Sequence, residues 1–205
     1  MDLPRGMKDF ENSEIQKIEY IREKFLSTSE IFGFELMEPS SIELMSVIEA
    51  KSGSAIRDDV YFFNDKGDRE VSLRFDFTVG LTRYVTGQKS MKLPAKISAF
   101  GGVWRYDEPQ KGRYRFFHQW DIEIFGKQNT ETDAEIIEFT SKFFSNLGLE
   151  NTILSISHRK IVQSYISSVF ESDKPELISD ILRAIDKIQK KSKQEIFSEY
   201  EKKGY

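Results

Sequence analysis

The stretch "RYDEPQKGRYRFFHQWDIEIFG", residues 105–126, changes character half-way along its length. Its first half is rich in charge and contains Pro109 and Gly112, two residue types that oppose a helix interior. Its second half alternates large and polar side chains, which is typical of a half-buried β-strand. Together with "AKISAFGGVWR" at 95–105, the stretch predicts a β-hairpin whose cationic loop leads into the second strand.

The side chains of this second strand fall on two faces, because successive residues of a strand point to opposite sides. One face is large and mostly apolar: Phe116, His118, Trp120, Ile122 and Ile124. The other is polar with one aromatic ring: Arg115, Phe117, Gln119, Asp121 and Glu123. We expect the apolar face to meet the core, with His118 as a packed core histidine, and the polar face to border a cavity or water.

A second hairpin is predicted where "VYFF" and "REVSLRF" flank a turn at Asp65–Gly67. Its second strand would place Arg74, Asp76 and Thr78 on one face. If this face and the polar face of the first hairpin lie on the same side of one sheet, they form a floor. That floor would present carboxylates, an amide, a hydroxyl and a phenyl ring.

Such a floor suits a nucleotide beside a small cationic molecule. Arginine binds phosphate oxygens through forked contacts, and carboxylates hold an amine or an imidazole. The cations expected to overhang the floor are Arg105, Lys111, Arg113 and Arg115. A simpler interpretation stays open, in which the loop is a solvated turn and the acids pair with Arg74 or Arg115 on an exposed sheet face.

Composition narrows the function classes. The chain has 205 residues, is 39% hydrophobic and contains 17 Phe, so it can form a sizeable core, and its net charge of -4 argues against non-specific coating of nucleic acid. It has no cysteine, and its two histidines, His118 and His158, lie in no metal-binding pattern, so we expect no metal site. The charged N-terminus and the lack of a long apolar run predict a cytoplasmic protein without membrane association.

The whole pattern predicts an α+β fold, with a largely antiparallel sheet flanked by helices. Helices are expected after Asn12, over 130–147 and from Arg159 onward, and "TILSIS" at 152–157 is expected to be one more strand. The helical tail carries an apolar stripe: Ile178, Ile181, Leu182, Ile185 and Ile188. The tail therefore has the pattern of the start of a small helical domain.

Four segments resemble class II aminoacyl-tRNA synthetases, in the form found in histidyl-tRNA synthetases. Residues 105–126 resemble the second class-defining motif. Three other segments agree in the same order: "LPRGMKDF" at 3–10 with the opening segment, "GFELMEPSSIE" at 33–43 with the first motif, and "LRFDFTVGLTRY" at 73–84 with the segment that reads the amino acid. The resemblance implies the class II catalytic core over 1–158 and the start of the family's inserted helical domain over 159–205.

The resemblance implies an ATP site on the first hairpin. Its residues are Arg105 at the α-phosphate, Arg113 at the β- and γ-phosphates, Phe117 stacked on adenine and Asp107 near the adenine edge. ATP enters as a substrate with Mg²⁺ on its phosphates. Arg105 and Arg113 would act catalytically, because positioned cations stabilise the charge that develops at phosphorus.

The resemblance also implies a histidine site. Its residues are Asp76, Thr78 and Gln119 at the α-amino end and Glu123 at the imidazole. The carboxylate of histidine would attack the α-phosphate and give histidyl-adenylate, and the histidyl group would then pass to tRNA(His). Gln110 and Lys111 would meet the acceptor end of the tRNA, and the family implies a homodimer.

Two departures from the family pattern affect what we expect of this chain. Asp76 and Asp107 stand where many members have Glu. The family's later "RGLDYY"-like segment, its third motif and its anticodon-binding domain do not occur in the 205 residues. We therefore expect an N-terminal piece of a synthetase that is impaired alone.

Two alternative functions stay open. Synthetase-like paralogues serve as non-catalytic regulatory subunits of ATP phosphoribosyltransferase in histidine biosynthesis. The retention of both the loop set and the histidine-facing set favours the synthetase over such a subunit. An unrelated nucleic-acid-binding α+β domain would require the four-segment match to be accidental.

Overall fold

The computed structural model describes residues 2–171, 174–187 and 192–202. Its helices and strands follow in the order α1 (Asn12–Ile31), β1 (Glu35–Leu36), β2 (Ile42–Leu44), α2 (Met45–Ser52), β3 (Phe62–Asn64), β4 (Glu70–Leu73), α3 (Thr78–Gly87), β5 (Ala95–Trp104), β6 (Phe116–Phe125), α4 (Thr130–Asn146), α5 (Arg159–Phe170), α6 (Pro175–Lys187) and α7 (Lys193–Glu201). A 3-10 helix at Ser54–Asp59 lies between α2 and β3. By its internal contacts the chain divides into two compact units, Met1–Leu154 and Ser155–Tyr205.

Two three-stranded sheets form the first unit, in the orders β1-β5-β6 and β2-β4-β3. The long strands β5 and β6 are antiparallel and pair over their full length, from Ala95 opposite Phe125 to Trp104 opposite Phe116. The two-residue strand β1 pairs in parallel with β5, and β4 pairs antiparallel with both of its neighbours. The first predicted hairpin and the α+β class with a largely antiparallel sheet are confirmed.

Helices α1 and α4 cover the apolar face of β6. The fully buried Phe139 and Phe143 pack with Trp120, whose ring centroid lies 5.2 Å from that of Phe143. Burying a large apolar side chain contributes about 1.5–3 kcal/mol. Both helices begin with a capping box, at Glu11 and Asn129, which satisfies backbone groups in the first turn. The predicted apolar face of the strand is thus a core face.

Helix α3 packs against the opposite face of the same sheet. Phe77 and Leu81 are fully buried there, against Ile97, Ala99 and Val103 of β5. Because α3 covers β5 from this side, its first residues come next to the polar face of β6. The helix therefore borders the candidate site and also helps to close the core.

Helix α3 also approaches the segment between β1 and β2 so closely that Gly80 has no room for a side chain. A Cβ atom at Gly80 would lie 2.6 Å from the Cβ of Pro39, well inside van der Waals contact. This contact sets the distance between the two segments at the N-terminal end of α3. It therefore helps to fix the position of Thr78.

The alternating run from residue 70 to 78 is not one strand, and the face predicted for Arg74, Asp76 and Thr78 on it is wrong. Strand β4 ends at Leu73 and α3 begins at Thr78. Asp76 accepts a hydrogen bond from the backbone N–H of Val79 in the first turn of α3, at 3.1 Å. A carboxylate is favoured at a helix N-terminus, so Asp76 supports the start of a helix where alternation alone predicts a strand.

The strand predicted at 152–157 is also wrong. Ile153 is 89% exposed and Ile156 is 68% exposed. Alternating β-branched residues favour an extended backbone, but a strand needs a hydrogen-bonded neighbour. None of the strands within the described residues pairs with this segment.

Helices α5, α6 and α7 make up the second unit over its described residues. Tyr200 of α7 donates a hydrogen bond to the carbonyl oxygen of Asp180 in α6, at 2.8 Å. Ser192 caps α7 by accepting from the N–H of Glu195. Helical structure after Arg159 is confirmed there.

The apolar stripe predicted for the tail is only partly enclosed. Ile178, Ile181 and Leu182 are half-buried, whereas Ile185 is 43% exposed. Ile188 lies outside the described residues. No helix in the described ranges has both the length and the apolar character that a membrane span requires.

Candidate nucleotide and amino-acid site

The loop between β5 and β6 ends in a tight turn at residues 110–113. The N–H of Arg113 donates to the carbonyl oxygen of Gln110 at 2.9 Å. Gly112, the third residue of the turn, has φ +81°, a value that a type II turn requires at this position and that glycine adopts at little cost. Gln110 and Lys111 are exposed at the tip of the turn. Both residues predicted to meet tRNA are therefore accessible.

Arg113 and Asp107 form an ion pair across the loop. The Nε and Nη2 atoms of Arg113 lie 2.9 and 2.8 Å from Oδ2 of Asp107. The side chain of Arg113 is 55% exposed, whereas that of Asp107 is 18% exposed. The carboxylate of the pair is therefore mostly buried, whereas about half of the arginine side chain is open to solvent. Arg113 is therefore accessible to a ligand.

Arg115 does not overhang the site, so its assignment to the phosphate-binding cations is wrong. The residue is only 8% exposed. Its guanidinium donates to the backbone oxygens of Asp107 and Arg5, at 3.0 and 3.3 Å, and lies 3.9 Å from the centroid of the Tyr106 ring. Its backbone N–H donates to the carbonyl oxygen of Gly6 at 2.8 Å. Arg115 therefore fastens the N-terminal segment to the loop.

Arg105 lies where β5 enters the loop and contacts two other predicted site residues. Its Nε donates to the carbonyl oxygen of Phe75 at 3.0 Å, and its Nη2 donates to Oε1 of Gln119 at 2.9 Å. Its guanidinium lies 5.1 Å from the centroid of the Phe117 ring, within the range of a cation–π contact. The structure thus brings Arg105, Phe117 and Gln119 together on the polar face of β6.

A second group lies farther along β6 and consists of Asp76, Thr78, Asp121 and Glu123. The hydroxyl of Thr78 donates to Oδ2 of Asp121 at 3.3 Å. Burial, and then the negative charges of Glu123 and Asp76, raise the pKa of Asp121 to about 6. Glu123 shares the face of Asp121 on β6, and Asp76 lies two residues before Thr78, although Asp76 comes from the segment before α3 and not from a strand.

Arg74 and His118 differ from expectation. Arg74 is 4% exposed and donates to the backbone oxygens of Gly102 and Pro39, at 2.8 and 2.7 Å, so it contributes to the structure and not to the polar floor. His118 is on the predicted apolar face, but it is exposed and not a packed core histidine. Its ring borders an apolar groove of about 410 Å³, with Phe10 5.7 Å away between centroids, and partial burial lowers the pKa of the imidazole.

One contributor to the site was not predicted from the sequence. Lys51 of α2 pairs with Asp76, with Nζ 3.4 Å from Oδ2, and nothing in the local sequence around Lys51 signals this contact. Asp121 shares the alternation of Gln119 and Glu123, which is the signal that places it on the polar face. In the part of the chain that the structure describes, no cluster of three acids or histidines is arranged to hold a metal ion.

The chain matches the family model described as histidyl-tRNA synthetase over residues 6–202. The chain belongs to the histidyl-tRNA synthetase family. It is 32% identical over 193 residues to the histidine–tRNA ligase of Pyrobaculum islandicum, covering 94% of this chain and 45% of that relative. It is 35% identical over 185 residues to the ligase of Sulfurisphaera tokodaii, covering 89% of this chain and 43% of the relative. The chain thus spans less than half the length of these family members.

Solved structures show the same fold. The histidyl-tRNA synthetase from Nostoc sp. PCC 7120 superposes with a TM-score of 0.79 at 23% identity, over 100% of this chain and 45% of that structure. An ATP phosphoribosyltransferase regulatory subunit/histidyl-tRNA synthetase from Bacillus halodurans superposes with a TM-score of 0.76 at 21% identity, over 89% of this chain and 46% of that structure. The class II synthetase-like fold inferred from the motifs is therefore confirmed.

Proposed function

We propose that this chain provides the ATP and histidine subsites of a histidine–tRNA ligase. The observation that carries the proposal is the arrangement along β6. Arg105 contacts Phe117 and Gln119 at one end, and Thr78, Asp121 and Glu123 lie at the other. A phosphate and a base fit the first group, and a cationic amino acid fits the second.

The proposed reaction needs no protein nucleophile. The carboxylate of bound histidine attacks the α-phosphate of ATP, forms histidyl-adenylate and releases pyrophosphate. Arg105 would stabilise the charge that develops at the α-phosphate, and Arg113 would hold the β- and γ-phosphates. Mg²⁺ would enter with ATP, whose phosphate oxygens are hard ligands of the kind this cation prefers.

Histidine would be held at both of its ends. Asp76, Thr78 and Gln119 would take the α-amino group, and Glu123 would accept a hydrogen bond from the imidazole. Lys51 now pairs with Asp76 over 3.4 Å, a long contact for an ion pair, and its side chain is 42% exposed. The ligand's ammonium group would take over part of this contact without requiring a buried ion pair to break.

Transfer to tRNA(His) is proposed to use the tip of the hairpin. Gln110 and Lys111 are exposed there and would meet the acceptor end. The family relationship also supports a homodimer as the proposed assembly, which sedimentation velocity would test through its mass. A tRNA substrate further implies a cytoplasmic protein.

The division of the chain is part of this proposal. We propose a class II catalytic core over 1–158 and the start of a helical inserted domain over 159–205. Since the relatives are more than twice as long, we also propose that these 205 residues bind substrates but form adenylate far more slowly than a full-length family member. Pyrophosphate exchange at a comparable rate would contradict this last point.

Calorimetric titration of the 205-residue chain with histidine, and with a non-hydrolysable ATP analogue, tests the central proposal. We expect both to bind, and we expect lysine and uridine triphosphate to bind at least about tenfold more weakly, a difference of about 1.4 kcal/mol. Failure to bind either histidine or the ATP analogue would reject the assignment of these two subsites.

The regulatory-subunit alternative is compatible with the fold shared with the Bacillus halodurans ATP phosphoribosyltransferase regulatory subunit/histidyl-tRNA synthetase. A subunit of that kind would bind histidine without charging tRNA. Aminoacylation of tRNA(His) by this protein, in a cell extract depleted of its own ligase, would exclude the alternative. Activation of ATP phosphoribosyltransferase by the same protein would instead support it.

A further inference from the structure

Asp121 has a place in the site but no role in the proposed function. It lies on the polar face of β6, between Gln119 and Glu123, and its carboxylate accepts a hydrogen bond from the Thr78 hydroxyl at 3.3 Å. Its cross-strand neighbour on β5 is Ala99, which is fully buried and carries no polar group. The carboxylate thus faces the residues that come from α3 and from the segment before it.

Two acidic groups act on this carboxylate, and two cations lie next to its neighbours. Glu123 approaches along β6, and Asp76 approaches from the segment before α3. Lys51 of α2 pairs with Asp76, and Arg105, at the end of β5, is bonded to Gln119. The two cations are therefore each joined to another residue, and the structure surrounds Asp121 mainly with negative charge. Burial and this charge explain why the pKa of Asp121 is raised to about 6.

The direction of the hydrogen bond between Thr78 and Asp121 decides what Thr78 offers to a ligand. A hydroxyl carries one proton and two lone pairs. An ionised carboxylate only accepts, so it takes the Thr78 proton and leaves the lone pairs of Thr78 for another donor. A protonated carboxyl group can itself donate to Thr78. The hydroxyl proton would then be able to turn toward the ligand, where an ammonium group would meet a donor instead of an acceptor.

We propose that Asp121 is a positioning residue of the amino-acid site, whose ionised carboxylate holds the Thr78 hydroxyl as a hydrogen-bond acceptor for the ligand's α-ammonium group. The inference rests on the proposed histidine site and deepens it. Asp121 then acts through Thr78 and adds negative potential, while Asp76 makes the direct ionic contact. It also makes amino-acid binding depend on pH through the protein as well as through the ligand.

The test measures binding between about pH 5 and about pH 7.5, spanning the raised pKa of Asp121. Histidine titrates in the same range, so the probe is a histidine analogue whose ring is a triazole and stays neutral. For the unmodified chain we expect the affinity for this analogue to fall about tenfold as the pH is lowered. Asp121→Asn keeps an amide oxygen that accepts the Thr78 proton but removes the negative charge, so it should bind at least about threefold more weakly than the unmodified chain at pH 7.5 and show a nearly flat profile.

Two further variants separate this role from a structural one. Thr78→Val keeps the shape and removes the hydroxyl, so it should bind the analogue about tenfold more weakly at pH 7.5 and lose the part of the pH dependence that acts through Thr78. Glu123→Gln removes one of the charges that raise the pKa of Asp121, so it should keep a pH dependence whose midpoint lies at lower pH. An Asp121→Asn variant with the same pH profile as the unmodified chain would overturn the inference alone. A chain that binds neither histidine nor the analogue at any pH would overturn the proposed function as well.

Discussion

Arg105 and Gln119 are joined by a hydrogen bond of 2.9 Å between a guanidinium nitrogen and a side-chain oxygen. In the proposed function the first residue serves ATP and the second serves histidine. Because the arginine also lies over the Phe117 ring, one side chain borders both subsites. This position is suited to a reaction in which the carboxylate of histidine must reach the α-phosphate of ATP.

Replacing Arg105 by Lys keeps the charge and removes the fork that contacts phosphate and Gln119. We expect the affinity for a non-hydrolysable ATP analogue to fall about 10- to 100-fold, since a charge-assisted hydrogen bond contributes about 1.5–3 kcal/mol. Histidine affinity should change by less than about threefold, because Gln119 and the acids remain. Calorimetry with each ligand gives both values. An equal loss for ATP and histidine would count against the proposed division of labour.

Replacing Glu123 by Gln should weaken histidine binding by about 1–3 kcal/mol, through loss of a charged acceptor for the imidazole. The matched control is Glu150→Gln, which removes the same charge from an exposed position after α4. Calorimetric titration of both variants with histidine measures the difference. Equal affinities would show that Glu123 does not contact the ligand.

Arg113 and Arg115 are two residues apart, but we expect substitution of Arg113 to affect ATP binding and substitution of Arg115 to affect stability. Arg113→Ala should weaken ATP-analogue binding about 5- to 20-fold and change the free energy of unfolding by less than about 0.5 kcal/mol, because its ion pair is half-exposed. Arg115→Ala should lower the free energy of unfolding by about 2–4 kcal/mol, because it removes buried hydrogen bonds and packing. Urea denaturation and calorimetry on both variants test this, and a stability loss in the Arg113 variant would contradict it.

Replacing Asp121 by Asn should stabilise the fold near neutral pH. The pKa of Asp121 is raised from 3.8 to about 6, so the folded state binds this proton more tightly than the unfolded state does. Stability is therefore lost as the pH rises from about 4 to about 6 and stays low above that range. The variant should gain as much as about 3 kcal/mol at pH 7.5 and little at pH 4, as measured by urea denaturation. A loss of stability at pH 7.5 would show that the carboxylate is stabilised by its surroundings.

Replacing Phe139 by Ala should lower the free energy of unfolding by about 3–5 kcal/mol, because its ring is fully buried between α1 and β6. The control is Ile31→Ala, since Ile31 is 67% exposed at the end of α1. It should cost less than about 1 kcal/mol by the same urea denaturation assay. Similar losses in both variants would contradict the packing described for this face.

The first hairpin could be predicted because the signals for it are local. Alternation along 116–125 fixes which side chains share a face, and Pro109 and Gly112 mark the loop between the strands. The burial of Trp120 and the polar neighbourhood of Gln119 both follow from that register. Here sequence and tertiary structure favour the same backbone, so the prediction and the structure agree.

The rest depends on contacts between distant segments. Nothing in the sequence near Arg115 indicates that its guanidinium donates a hydrogen bond to the carbonyl oxygen of Arg5, more than one hundred positions away. Asp76 and Thr78 alternate like a strand, yet the chain starts a helix there, since the core takes up Phe77 and Leu81 together. The alternation assigned Asp76 and Thr78 to a strand, which is wrong. The family motif, and not the alternation, indicated that they belong to the same site as Glu123.

Gly80 and Pro39 belong to different family motifs, and they pack so closely that no atom can be added between them. A mutation that adds even one methyl group at the glycine would push α3 outward and carry the Thr78 hydroxyl with it. The side-chain sizes at the two positions are therefore coupled in evolution. A homologue with a larger side chain at one position should need a smaller side chain at the other to keep its ligand affinity.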